Sequence, residues 1–141
     1  MPSNRGGRAG IGQRYVADAH AIAWFVTADR HMSDMAREAL QNVGPQGPKV
    51  LVPTIVMAEL AWLAEKRRVR VGVAELFGYV GATEGWEVVP FGLSVLDEFV
   101  SVGPGLEMHD RVIVATARVH NAAVVTSDAD ITASGLVQTI W

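Results

Sequence analysis

Short apolar runs alternate with longer segments of helical spacing along most of this chain, and no hairpin turn signal joins one run to the next. Strands that follow one another without hairpins need crossovers, and crossovers join parallel neighbours. The runs "RYVAD" (14–18), "KVLVP" (49–53), "WEVVPF" (86–91), "AAVVT" (122–126) and "VQTIW" (137–141) read as strands. Helices are expected between them, over 19–28, 33–44, 54–68, 71–85, 94–101 and 108–120. Ser33, Thr54 and Ser94 stand where N-caps are preferred, and Gly44 with Pro45 stops the second helix, whose inward side carries Met35, Ala39 and Leu40. The fold class is α/β, a three-layer α/β/α sandwich around a mostly parallel central sheet.

A length of 141 residues suits one domain, placed at 14–141. Residues 1–13 are rich in Gly and Arg, have no apolar h-region, and read as a flexible tail rather than a signal peptide. Half of the residues are hydrophobic and 19% are charged, as expected when helices cover both faces of a sheet. The absence of cysteine excludes disulfides and thiolate metal sites and makes the cytoplasm the default compartment. "VLVPTIVMAELAWLA" contains Pro53 and Glu59 and is shorter than the roughly 20 apolar residues a spanning helix needs, so no membrane role is expected. A net charge of -3 gives no global attraction to nucleic acid, although "KRRVR" packs four of the twelve basic residues into 66–70. That run reads equally well as an RNA-backbone contact and as a solvated helix end.

The acids carry the chemistry. Asp18 and Asp128 fall at the carboxyl ends of two strands, the edge where open parallel sheets form ligand crevices. Glu59 stands on or beside the apolar stripe of its helix, and Asp110 opens an inward helical face one turn before Val114. Taken singly, Asp18 and Asp128 fit helix N-caps, and Asp110 fits an ordinary first-turn acid. Taken together, four inward carboxylates repel one another unless a cation joins them. An all-oxygen set suits Mg²⁺ or Mn²⁺, which polarises a phosphodiester and activates water for in-line attack. Phosphodiester hydrolysis is the chemistry implied.

These same residues resemble the PIN-domain ribonucleases, most closely the small toxins of the VapC type, over nearly the whole chain after the tail. "VADAHAIAWFV" is similar to the opening of that family, "VPTIVMAELAWL" to its second acidic segment, and "HDRVIVATARVHNAAVVTSDADI" to its third and fourth. The resemblance gives Asp18, Glu59, Asp110 and Asp128 the four acidic positions that bind metal and catalyse, with Asp130 a second candidate for the last. It gives Thr126 a supporting role and leads Arg111 to be expected against a nearby carboxylate. It implies a Mg²⁺- or Mn²⁺-dependent endoribonuclease that acts on RNA and leaves a 5′-phosphate and a 3′-hydroxyl. A homodimer and a cognate antitoxin partner are implied as well. Two departures stand out: Ala19 follows the first acid where a hydroxyl residue is common, and "GLEMHD" lacks the usual "DP" pair.

Other residues are less telling. His20, His31, His109 and His120 have no metal-ligand spacing, and His20 and His109, which flank acids, are expected to be structural or solvated. Trp24, Trp62, Trp86 and Trp141 are spaced as core or interface anchors, with no aromatic ladder for stacking bases. A phospho-acceptor domain needs a late lysine, but the only lysines are Lys49 and Lys66. An aspartate-nucleophile phosphatase wants an acid two residues after Asp18, where His20 stands. A non-catalytic PIN-like module that binds RNA or protein ranks second, and loss of an acid would be its mark.

Overall fold

The computed structural model describes residues 12–141, so the tail expected at 1–13 lies almost wholly outside the described residues. The element order is β1 (Arg14–Ala17), α1 (Ala19–Val26), α2 (Asp34–Gln41), β2 (Lys49–Pro53), α3 (Thr54–Glu65), α4 (Val73–Ala82), β3 (Trp86–Val89), α5 (Leu93–Val102), α6 (Met108–Val119), β4 (Ala123–Val125), α7 (Ala129–Ser134) and β5 (Thr139–Ile140). The five strands form one sheet in the order β3-β2-β1-β4-β5, and every pairing is parallel. Val16 of β1 sits opposite Leu51 on one side and Val124 on the other. The expected layered α/β architecture is therefore present, with a wholly parallel sheet among the described residues.

Burial explains the strand choice. Tyr15 to Ala17, Val50 to Pro53 and Ala123 to Val125 are buried without a break, as strands covered on both faces must be. Edge strand β3 instead leaves Glu87 and Val88 exposed. With every pairing parallel, each pair of successive strands is joined by a helical crossover, and right-handed crossovers in this strand order would place α1 to α4 and α5 to α7 on opposite faces. α1 packs on α2, α3 and α4, α5 packs on α6, and α3 also touches α6. Among the described residues no helix is long and apolar enough to cross a membrane.

Several local expectations shift. β2 keeps the expected 49–53, whereas β1, β3, β4 and β5 are shorter than the runs that marked them, because pairing stops before those runs end. Ser33 does cap α2, accepting from Ala36 N–H at 3.1 Å. That start fixes the phase of the helix, so Ala36, Ala39 and Leu40 are buried and Met35 is 64% exposed. Thr54 is the first helical residue of α3 rather than its cap, since the chain turns at Pro53 directly from strand into helix. Ser94 lies inside α5, which starts after Gly92 and has no side-chain cap.

Three helices, α1, α3 and α6, end with a non-glycine residue in left-handed conformation: Ala28 (φ 54°), Arg67 (φ 56°) and Asn121 (φ 53°). After α1, Ala28 N–H donates to Phe25 C=O at 3.2 Å and Asp29 N–H to Trp24 C=O at 2.9 Å, the two bonds of a Schellman ending. Alanine meets steric resistance there that glycine does not. Ala28→Gly is expected to stabilise the fold by about 0.5 to 1 kcal/mol, read as a higher urea midpoint at unchanged slope.

Candidate active site

The strand order reverses between β1 and β4, and that switch point is where a parallel sheet opens a crevice beyond its carboxyl ends. Asp18 follows β1 and Asp128 follows β4, so the two acids stand on either side of it. Each is also a helix N-cap. Asp18 Oδ1 accepts from Ala21 N–H at 2.9 Å, and Asp128 Oδ1 accepts from Asp130 N–H at 2.8 Å and Ile131 N–H at 3.0 Å. Structural duty and a place in the crevice coincide in both residues.

Thr126 joins them. Fully buried at the end of β4, its hydroxyl donates to Asp18 Oδ2 and accepts from Asp128 N–H at 2.9 Å. A buried hydroxyl used in both directions fixes two acids with one side chain.

The remaining acids arrive from the helices. α3 is in contact with α6, which brings half-buried Glu59 toward the start of α6, where Asp110 occupies the first turn. The cap of α6 is Glu107, whose Oε1 accepts from His109 N–H at 2.9 Å and Asp110 N–H at 3.2 Å. A recess of about 380 Å³ is lined by all four predicted acids together with Glu107, Asp130, His20 and His109. Carboxylate oxygens of Asp110, Asp128 and Asp130 lie within 4.8 Å of one another. Asp130 thus stands beside Asp128 in the recess rather than in place of it. A second recess, of about 460 Å³, opens at the amino ends of the strands, but its one acid, Glu98, is paired with Arg118 at 2.6 Å.

Among the described residues no salt bridge reaches Asp18, Glu59, Asp110 or Asp128. The electrostatic consequence is large. Burial, then the nearby carboxylates of Asp128, Glu107, Asp18 and Glu59, push Asp110 from 3.8 up to about 7. Burial likewise raises Asp18, against the opposing bonds from Thr126 and Ala21 and the charge of His20. Glu59 is raised by burial and by Asp18, and is held back by His109 and His20. Glu107 goes the other way: burial opposes it, but the bonds from Asp110 and His109 prevail and lower it.

Sequence spacing did not reveal Glu107, although a carboxylate three residues before Asp110 has N-cap spacing. It supplies the ordering that the missing "DP" pair left open. His20 and His109 are exposed, as expected, but they line the recess and act on its acids instead of merely flanking them. Arg111 departs from its expectation. One residue beyond Asp110 it is turned away from the recess, and it packs on α5, donating to Phe99 C=O at 2.9 Å with its guanidinium 3.9 Å from the Phe99 ring centre. Within the basic run, Arg67 ends α3 and Arg68 lies over Trp62 at 5.3 Å.

The PIN domain family model matches residues 15–134. The chain belongs to the PIN domain family. A curated relative, Ribonuclease VapC22 from Mycobacterium tuberculosis, is 30% identical over 114 residues, which covers 79% of this chain and 84% of the relative. Among solved structures, the VapBC2 complex of Rickettsia felis bound to a promoter DNA fragment superposes with a TM-score of 0.66 at 15% identity, covering 90% of this chain and 97% of that one. VapC20 of M. tuberculosis, a toxin that cleaves the sarcin-ricin loop, gives 0.65 at 15% identity, covering 89% and 98%. These two likenesses concern the PIN fold alone.

Two outcomes follow from the geometry. Thr126→Val leaves Asp128 N–H and Asp18 Oδ2 without their buried partner and is expected to cost about 1 to 3 kcal/mol in denaturant unfolding. For Asp110 the folded state holds its proton more tightly than the unfolded state, which titrates near 3.8. Stability is therefore highest below 3.8 as far as this group is concerned and is lost as pH rises toward about 7. Asp110→Asn is expected to raise the Tm of metal-free protein at pH 8 and to leave it nearly unchanged at pH 4.

Proposed function

We propose that this PIN domain is a metal-dependent endoribonuclease, the toxin of a type II toxin-antitoxin pair that inhibits translation. The observation that carries the reading is the convergence of Asp18, Glu59, Asp110 and Asp128 in one recess with no salt bridge to any of them among the described residues. The donor set fits a hard divalent ion, since it is all oxygen and three carboxylates approach within 4.8 Å. Asp18, Glu59, Asp110 and Asp128, with Asp130 beside them, would hold Mg²⁺ or Mn²⁺. When bound, the ion supplies charge neutralisation and Lewis-acid activation of the phosphodiester.

The chain's own groups do the rest. Thr126 and the Ala21 N–H fix the Asp18 carboxyl, and Glu107 fixes the first turn of α6, so the acids are held before substrate arrives. Glu59 and Asp110 orient the attacking water and accept hydrogen bonds from it. His20 and His109 stand at the recess as donors for phosphate oxygens. Hydrolysis adds water across one P–O3′ bond, leaving a 5′-phosphate on one fragment and a 3′-hydroxyl on the other.

Solved structures of the same fold include the VapBC2 complex of Rickettsia felis and a toxin-antitoxin complex of Klebsiella pneumoniae, which supports an antitoxin partner. An exposed apolar stripe on α5, with Leu93 80% and Val100 66% exposed and Leu96 between them, supports a face covered by a protein, as the homodimer or the antitoxin requires. The test is cleavage of total cellular RNA by the purified protein with Mg²⁺, Mn²⁺ or EDTA. Discrete products are expected only with metal, and Asp18→Asn and Asp110→Asn are each expected to lose them while remaining folded. Metal-independent products, or unchanged cutting by both variants, would overturn the assignment. Folded, antitoxin-free protein that never cuts would favour the non-catalytic module.

A further inference from the structure

The structure brings together rings that their sequence positions scatter. His20 and Trp24 sit one turn apart on α1 with ring centres 5.2 Å apart, and His31, from the loop after α1, stacks on Trp24 at 5.1 Å with an interplanar angle of 21°. Trp141, the last residue, packs against Trp24 at 5.8 Å and ties the row to the core. The row starts at the acidic recess, which His20 lines, and ends at a His31 side chain that is 69% exposed. Resting on the nuclease reading, we propose that the His20–Trp24–His31 row is a stacking platform for a nucleobase of single-stranded RNA, next to the phosphate held at the acids.

The platform is built before any ligand arrives. Asp29 accepts from the His31 backbone N–H at 2.8 Å and from its ring Nδ1 at 2.7 Å. Arg37 clamps the same loop through Asp29 C=O at 3.4 Å and Met32 C=O at 3.3 Å. An exposed ring held this firmly at the edge of a recess has paid its ordering entropy in advance. Stacking also supplies what the electrostatics withhold: an acidic recess in a chain of net charge -3 offers RNA little long-range attraction, whereas an aromatic face binds any base.

Steady-state cleavage of a short single-stranded RNA, with Mg²⁺ or Mn²⁺, tests this in the full-length protein. His31→Ala is expected to raise KM by about 5- to 10-fold with kcat little changed. His31→Phe, which keeps a ring and the backbone bond to Asp29 but loses the bond from the ring Nδ1, is expected to fall between the parent and His31→Ala. The gap between parent and His31→Ala is expected to close on an RNA whose neighbouring nucleotides are abasic. His31→Ala with parental KM, or His31→Phe as weak as His31→Ala, would overturn the platform and leave the nuclease standing. A parent protein that cuts no RNA under any metal condition would overturn both readings.

Discussion

Thr126, buried at the end of β4, donates to Asp18 and accepts from the Asp128 N–H, and those two bonds lock the strand ends on either side of the switch point. Everything else at the acidic recess is arranged around that joint. The parallel sheet beneath it is apolar on both faces, so the strands cannot slide to relieve repulsion above without exposing Val16, Val52 or Val124. The acids are therefore held close by a core that gains nothing from their charge.

That arrangement explains why a cap and a ligand candidate can be one residue. A carboxylate has about four lone-pair sites, so one that accepts backbone N–H bonds at a helix N-terminus keeps acceptor capacity for other partners. Asp128 uses Oδ1 for the first turn of α7, and Asp18 divides its oxygens between Ala21 and Thr126. Glu107 repeats the device at α6, where capping lowers its own pKa while its charge helps push Asp110 up to about 7. Helix starts thus orient the acids, and the recess concentrates their field.

The loop between α1 and α2 shows the same economy. Ala28 turns the chain in left-handed conformation, Arg37 clamps it, and Asp29 holds the His31 ring against Trp24. An aromatic row next to the acids gives the recess a direction along which a strand could lie.

Local pattern carried most of the fold and the order of the acids. Apolar runs in β1, β2 and β4 and the spacing of Val56, Leu60 and Leu63 in α3 reflect burial of neighbouring residues, which sequence records directly. So did the alternation that makes the sheet parallel and sets Asp18 and Asp128 at strand ends. What only the tertiary structure decided are contacts between distant positions: Thr126 with Asp18 across 108 residues, Arg111 turned to Phe99, and Trp141 folded back on Trp24. Residue preference found the cap at Ser33, but the starts of α3 after Pro53 and of α5 after Gly92 were settled by where the chain leaves the strand or loop before them. Periodicity encodes which side of an element is covered, but the partner on that side is fixed only when the layers pack.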